Sequence, residues 1–266
     1  MTTQQAADNE HMQFSWIGGA TWILEFGGVR IGCDPVLCRK GTVQHYGFFT
    51  SERLEDPALA EDCDTVDLWL VSHHHEDHLD EAGLAKLARA PHVLCPSRVG
   101  RRLRRRGIAH QAIAWGEVVR LQVRGVAISV RAGPAIHSGN CFVGTLVGNG
   151  NGYLLELERA GEARNRVYVS GDDVFAPTRA RRWLPKGLDL AIVNAGAAHV
   201  GTGWLGRVLG RITNDSSDLR RLTDALDPRA LIATHWGTFA HYLERAPARD
   251  LAKVRGVAVG ETIEIV

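Results

Sequence analysis

The chain has 266 residues, 45% of them hydrophobic and 23% charged, with 31 basic side chains against 30 acidic ones. That length and composition suit a globular chain able to bury a substantial core without covalent staples. A net charge of +1 carries no polyanion-binding signature, and no apolar run approaches the ~18 residues of a spanning helix, so nucleic acid and membrane insertion are poor readings.

Residues 1–12 read as a polar, flexible tail without the basic start and apolar run of a secretory signal, so a cytoplasmic protein is expected. Apolar and β-branched runs then predict strands over 21–26, 28–33, 66–71, 92–95, 117–123, 126–131, 152–158, 166–170, 189–194 and 230–234. A helix is predicted over 80–90, with Asp80 as its N-cap and Leu84, Leu87 and Ala88 on one face. A second covers 97–106, between Pro96 and Gly107. A third covers 215–226 and is closed by Pro228, with Leu219, Leu222 and Leu226 as its apolar positions. Strands interleaved with helices point to an α/β architecture, and the lack of a linker points to a single domain over 1–266.

Two features read as structural. Cys33, Cys38, Cys63, Cys95 and Cys141 are odd in number and form no C-x-x-C pair, which suits reduced core thiols. The run SRVGRRLRRRG, with its arginines between Arg101 and Arg106, could meet phosphate or lipid headgroups but reads first as a solvated helix face.

Chemistry concentrates in SHHHEDHLD, where His73, His75, Asp77 and His78 follow a predicted buried strand and precede a helix. Imidazoles two residues apart on an extended backbone project to one side, while Asp77 and His78 on the following turn can aim at a second nearby point. These ligand types suit zinc first, and also manganese or iron. His137, Asp172 and His235 each lie just past a predicted strand, where open sheets build their sites. A lone histidine in such a place would more often be structural, but three ligand types at three strand ends beside the cluster change that balance. On chemistry alone Asp173 is as eligible as Asp172.

The order of an early Asp after a strand, H-x-H-x-D-H, a distant His, an Asp and a final His resembles the metallo-β-lactamase superfamily, from WIGGATWILEFGGVRIGCDPVL to THWGTF. Through DPVL, SHHHEDHLD, SGDD and HWGTF it looks closest to the branch containing N-acylphosphatidylethanolamine phospholipase D and L-ascorbate-6-phosphate lactonase. The resemblance implies an αββα sandwich of two facing mixed sheets with outer helices. It further implies two divalent cations, one held by His73, His75 and His137, the other by Asp77, His78 and His235, with Asp172 bridging. Asp34 would orient the histidine loop. His at position 75, where oxygen-reducing diiron members carry Glu, implies hydrolysis rather than redox chemistry.

The expected activity is metal-dependent hydrolysis by a hydroxide held between the two cations, with Asp77 or Asp172 accepting a proton. A phosphodiester in a small or lipid-like molecule is the first substrate class, and a lactone or carboxylic ester the second. A metal-binding sensor without turnover is the rival from another class. The segment after His137, SGNCFVGTLVGNGNG, departs from the phospholipase-like pattern. His45 and Tyr46 in the 44–49 loop, with His199 and Trp204 in the 198–206 loop, are candidates to bind substrate or protonate a leaving group. The sequence leaves a homo-oligomer open.

Overall fold

The computed structural model describes residues 11–46, 50–138, 148–161, 164–198, 211–244 and 252–265. Strands β1 (Met12–Gly18), β2 (Thr21–Phe26), β3 (Val29–Cys33), β6 (Leu68–Leu70), β7 (His92–Cys95), β8 (Gln111–Ala112) and β16 (Thr262–Ile265) form one sheet in the order β16-β1-β2-β3-β6-β7-β8. The second sheet runs β15-β14-β13-β12-β11-β10-β9, built from β9 (Val118–Val123), β10 (Val126–Ile136), β11 (Asn149–Arg159), β12 (Asn165–Val169), β13 (Leu190–Asn194), β14 (Ala230–Thr234) and β15 (Val254–Arg255). A separate hairpin pairs β4 (Val43–His45) with β5 (Thr50–Glu52). Both large sheets are mixed: β3, β6, β7 and β8 run parallel in the first, and β12 to β15 in the second.

Strand alternation divides the apolar residues into three layers. Trp22 and Leu24 of β2 join Leu190 and Ile192 of β13 in one core shared by the two sheets. The opposite faces pack outward. Ile23 and Trp69 meet Leu84 and Leu87 of α1 (Glu81–Leu87) and Val99 and Leu103 of α2 (Ser97–Arg105). Ala191 and Val193 meet Ala180 of α3 (Pro177–Ala180) and Leu219, Leu222 and Leu226 of α4 (Ser216–Leu226). The result is the expected αββα sandwich. No helix among the described residues is long and apolar enough to cross a membrane.

Several expectations need adjustment. Residues 1–10 of the expected tail lie outside the described residues, but Met12 already belongs to β1, whose Met12, Phe14 and Trp16 enter the shared core. Strand β10 runs on past 131 to Ile136 through Gly133 and Pro134. This is tolerated because pairing with β9 ends at Arg131, which leaves an edge where proline costs no ladder bond, and Gly133 makes room for the Trp183 ring. Ala88 is exposed rather than part of the apolar face of α1. Asp80 caps α1 as expected, its Oδ1 accepting from the Gly83 N–H at 2.6 Å. Asp215 and Asp218 form a capping box on α4. Cys33, Cys63 and Cys95 are buried free thiols and Cys38 is half-buried, while Cys141 lies outside the described residues. Arg101, Arg104 and Arg105 of α2 are exposed, and Arg102 and Arg106 pair with Glu81, so the arginine run is a solvated face.

Candidate metal centre

Five strands end at one rim of the sandwich, and each is followed by a polar side chain directed into the same spot. Asp34 follows β3, the His73–His78 segment follows β6, His137 follows β10, Asp172 follows β12 and His235 follows β14. Donor atoms of His73, His75 and His137 lie within 4.8 Å of one another, as do those of Asp77, His78 and His235. A third group, His73, His78 and Asp172, joins the two. Asp172 Oδ2 is 3.8 Å from Nε2 of His73, 3.2 Å from Nε2 of His78 and 3.8 Å from Nε2 of His137, and its Oδ1 is 3.8 Å from Nε2 of His235. The arrangement forms two candidate metal-binding clusters with a carboxylate between them.

The surrounding hydrogen bonds aim these groups. Asp34 accepts from the Ser72 N–H and Ser72 hydroxyl, both at 2.6 Å, and its Oδ2 lies 2.8 Å from His78 Nδ1. Because the Ser72 proton goes to Asp34, Ser72 Oγ acts as acceptor toward His73 Nδ1 at 2.9 Å. Both rings therefore carry their proton on Nδ1 and turn Nε2 toward the cluster. Asn194 donates to Asp172 Oδ1 at 2.9 Å. Asp34 and His235 hold positive φ, 44° and 63°, a conformation that costs about 1 kcal/mol or more in a side-chain-bearing residue. Backbone bonds from Asp34 N–H to Leu70 O and from His235 N–H to Gly19 O, both 2.9 Å, hold them there.

Electrostatics favour a cation at this place. Burial works against charge on His78, but Asp172, Asp34 and Asp77 outweigh it and hold that imidazole well above its ordinary range. Burial and the neighbouring imidazoles push His73 well below the same range, and burial pushes His75 and His137 down to about 4. Asp77 and Asp172 are held below the usual carboxylate range: burial opposes ionisation, and nearby histidines overcome it. Neutral imidazoles and ionised carboxylates are the forms that bind metal. Among the described residues, Asp77 Oδ1, His78 Nε2, both ring nitrogens of His137 and His235 Nδ1 are buried without a hydrogen-bond partner. Orphaned buried polar atoms are costly, and a cation beside Asp172 would satisfy His78 Nε2 and His137 Nε2, which face that carboxylate at 3.2 and 3.8 Å. The donor set fits divalent metal.

Asp173 is excluded from the cluster. Its carboxylate is turned to the Ile136 N–H (2.9 Å) and to Arg179 (2.5 Å), and burial raises its pKa to about 7. It braces the end of β10 beside His137. Of the loop residues, Tyr46 is brought to the site, its ring 6.2 Å from that of His75, with its hydroxyl donating to Gln44 Oε1 at 2.7 Å. His45 is exposed on the outer face of the β4–β5 hairpin, whereas Gln44 points inward. His199 and Trp204 lie outside the described residues.

Sequence reasoning missed Ser72, Asn194, His241 and Tyr242. Asn194 ends β13 at the same rim, so the strand-end logic that found His235 could have found it. Tyr242 is buried, with its hydroxyl 2.7 Å from His235 Nε2 and 3.3 Å from Asp77 Oδ2. His241 Nε2 is also 3.3 Å from Asp77 Oδ2.

Residues 30–236 match the beta-lactamase superfamily domain. The chain belongs to the metallo-β-lactamase superfamily. Within it, the chain is 26% identical over 259 residues to the Caenorhabditis elegans N-acyl-phosphatidylethanolamine-hydrolyzing phospholipase D 1, covering 91% of this chain and 70% of that protein. Against mycobacterial relatives of unassigned function it spans 60% of their length. Solved structures share its fold. A possible metal-dependent hydrolase from Veillonella parvula superposes with a TM-score of 0.76 at 20% identity, covering 95% of this chain and 99% of that one. The isothiocyanate hydrolase from Delia radicum gut bacteria gives 0.74 at 21% identity, covering 95% and 98%.

About two divalent ions per chain are expected after reconstitution, because seven clustered donor residues exceed what one tetrahedral site uses. Elemental analysis of protein dialysed against zinc checks this, and a value that stays below one would contradict it.

Proposed function

We propose that the protein is a metal-dependent hydrolase of phosphodiesters, with a lipid-like substrate as the first choice. The observation that carries the hydrolase reading is the pair of clusters meeting at Asp172. The phosphodiester preference rests on the nematode relative, which hydrolyses N-acyl-phosphatidylethanolamine by its name and aligns over nine-tenths of this chain. His73, His75 and His137 would hold one cation, Asp77, His78 and His235 the other, and Asp172 both. Two such cations supply an activated water and polarise the scissile group.

The chain's own residues do the rest. Asp77 and Asp172, kept ionised by neighbouring imidazoles, are the bases able to accept the proton released on attack. Tyr46 stays protonated, since burial and then the Asp77 carboxylate push its phenol far above the ordinary range, and its one proton, given to Gln44 here, would have to leave that bond to reach substrate. His45, exposed on the hairpin, is assigned to the approach of substrate rather than to the reacting atoms.

The zinc-loaded and chelator-stripped proteins should be compared on bis-aryl phosphodiesters, glycerophospholipids and small lactones. Turnover of phosphodiesters by the loaded form alone is the expected result. Lactone turnover with phosphodiesters untouched would replace the substrate class, and no turnover of any kind would favour a metal-binding sensor.

A further inference from the structure

The segment that follows His235 doubles back beside β5. Arg53 bridges to Phe239, the Leu54 N–H donates to Thr238 O at 2.8 Å and the Ala240 N–H donates to Glu52 O at 3.0 Å. This places His241 between Ser51 and Asp77. Ser51 Oγ lies 3.3 Å from the His241 backbone N–H and 2.6 Å from His241 Nδ1, and Ser51 is buried.

The protons in this line can be counted. The Asp77 carboxylate can only accept, so the His241 Nε2 that faces its Oδ2 at 3.3 Å carries a proton. With that proton on Nε2, Nδ1 can accept from the Ser51 hydroxyl at 2.6 Å, while the Ser51 oxygen accepts the His241 backbone N–H at 3.3 Å. Tyr242 approaches Asp77 Oδ2 from a second side at 3.3 Å. His235 Nε2 lies 3.4 Å from the same oxygen, so the close contacts of Asp77 gather on Oδ2, while Oδ1 is buried with no hydrogen-bond partner among the described residues.

We infer that Ser51 and His241 are positioning residues that decide which oxygen of Asp77 meets metal, and that they thereby set the affinity of the second cation. This rests on the reading that Asp77, His78 and His235 hold one. It assigns a task to the β4–β5 hairpin: Ser51, on the hairpin's inner face, holds the ring of a histidine that in turn orients a ligand. His241 Nε2 faces Asp77, which belongs to the second group and not to the first, so the affinity of the first cluster, His73, His75 and His137, is expected to be independent of it.

The test is a competition titration of the stripped full-length chain with zinc against a colorimetric chelator, resolving first and second equivalents, with thermal unfolding recorded alongside. His241→Ala should weaken the second equivalent by about 10- to 100-fold, the usual effect of removing a ligand's hydrogen-bond partner, and leave the first unchanged. Ser51→Ala should weaken the same equivalent. His241→Gln, whose amide N–H can take the place of Nε2–H, should recover most of the affinity. Unchanged binding in His241→Ala would overturn the inference, as would equal weakening of both equivalents together with a lower melting temperature. A wild-type chain that binds only one zinc would instead overturn the two-cation reading on which it rests.

Discussion

Asp172→Asn is expected to lower turnover by about 10²- to 10³-fold with the fold intact, the scale of loss seen when a charge-stabilising group is removed from an active site. The carboxylate lies 3.2 to 3.8 Å from donor nitrogens on both sides, so a neutral amide removes the one negative charge common to the two clusters. Its place at the end of β12, outside the apolar layers, predicts little cost to stability. Asp173→Asn is the control. Asparagine retains an oxygen for the Ile136 N–H, and most of the turnover should survive. Steady-state rates of both variants with the best substrate from the panel, together with circular dichroism, check this. Equal losses in the two variants would show that the bracing of β10 matters as much as the shared charge.

Gly83→Ala is expected to destabilise the protein by about 3 kcal/mol or more, the upper range for overpacking at a tight contact. A Cβ at this position would sit 1.8 Å from the Pro35 carbonyl oxygen. Neither partner is free to withdraw. Asp80, which caps α1 through Gly83, also accepts from the Leu37 and Cys38 N–H groups at 2.8 and 2.6 Å, clamping the helix to the loop after β3. Pro35 in turn adjoins Asp34, the residue bonded to Ser72 and His78. The clash should therefore lower the urea midpoint and weaken zinc binding together. A variant with the parent's midpoint would show that helix and loop separate freely.

The layers were legible in the sequence where burial is two-sided. Strands such as LAIVN and ALIAT read as continuous apolar runs because helices cover one face and the opposing sheet the other. Strand β1 was overlooked although MQFSWIG alternates, because its polar flank disguised the start. The short strands β8 and β15, of two residues each, have no sequence signature at all. At the site, the side chains that cluster were visible because chemistry restricts them to His and Asp at strand ends. Ser51, His241 and Tyr242 were not, since their roles arise from a chain reversal that brings residues 190 positions apart into contact. No local pattern encodes such a meeting.

The division of the cluster between the two sheets has a mechanical consequence. His73, His75, Asp77 and His78 hang from one layer, while His137, Asp172 and His235 hang from the other. Any ion shared by them acts as a rivet across the seam of the sandwich. Melting temperature then ceases to be a constant of the sequence and rises with the logarithm of free metal concentration. Chelation should loosen this rim first, while the shared apolar core away from it, around Phe14, Val119 and Ile128, keeps the layers together.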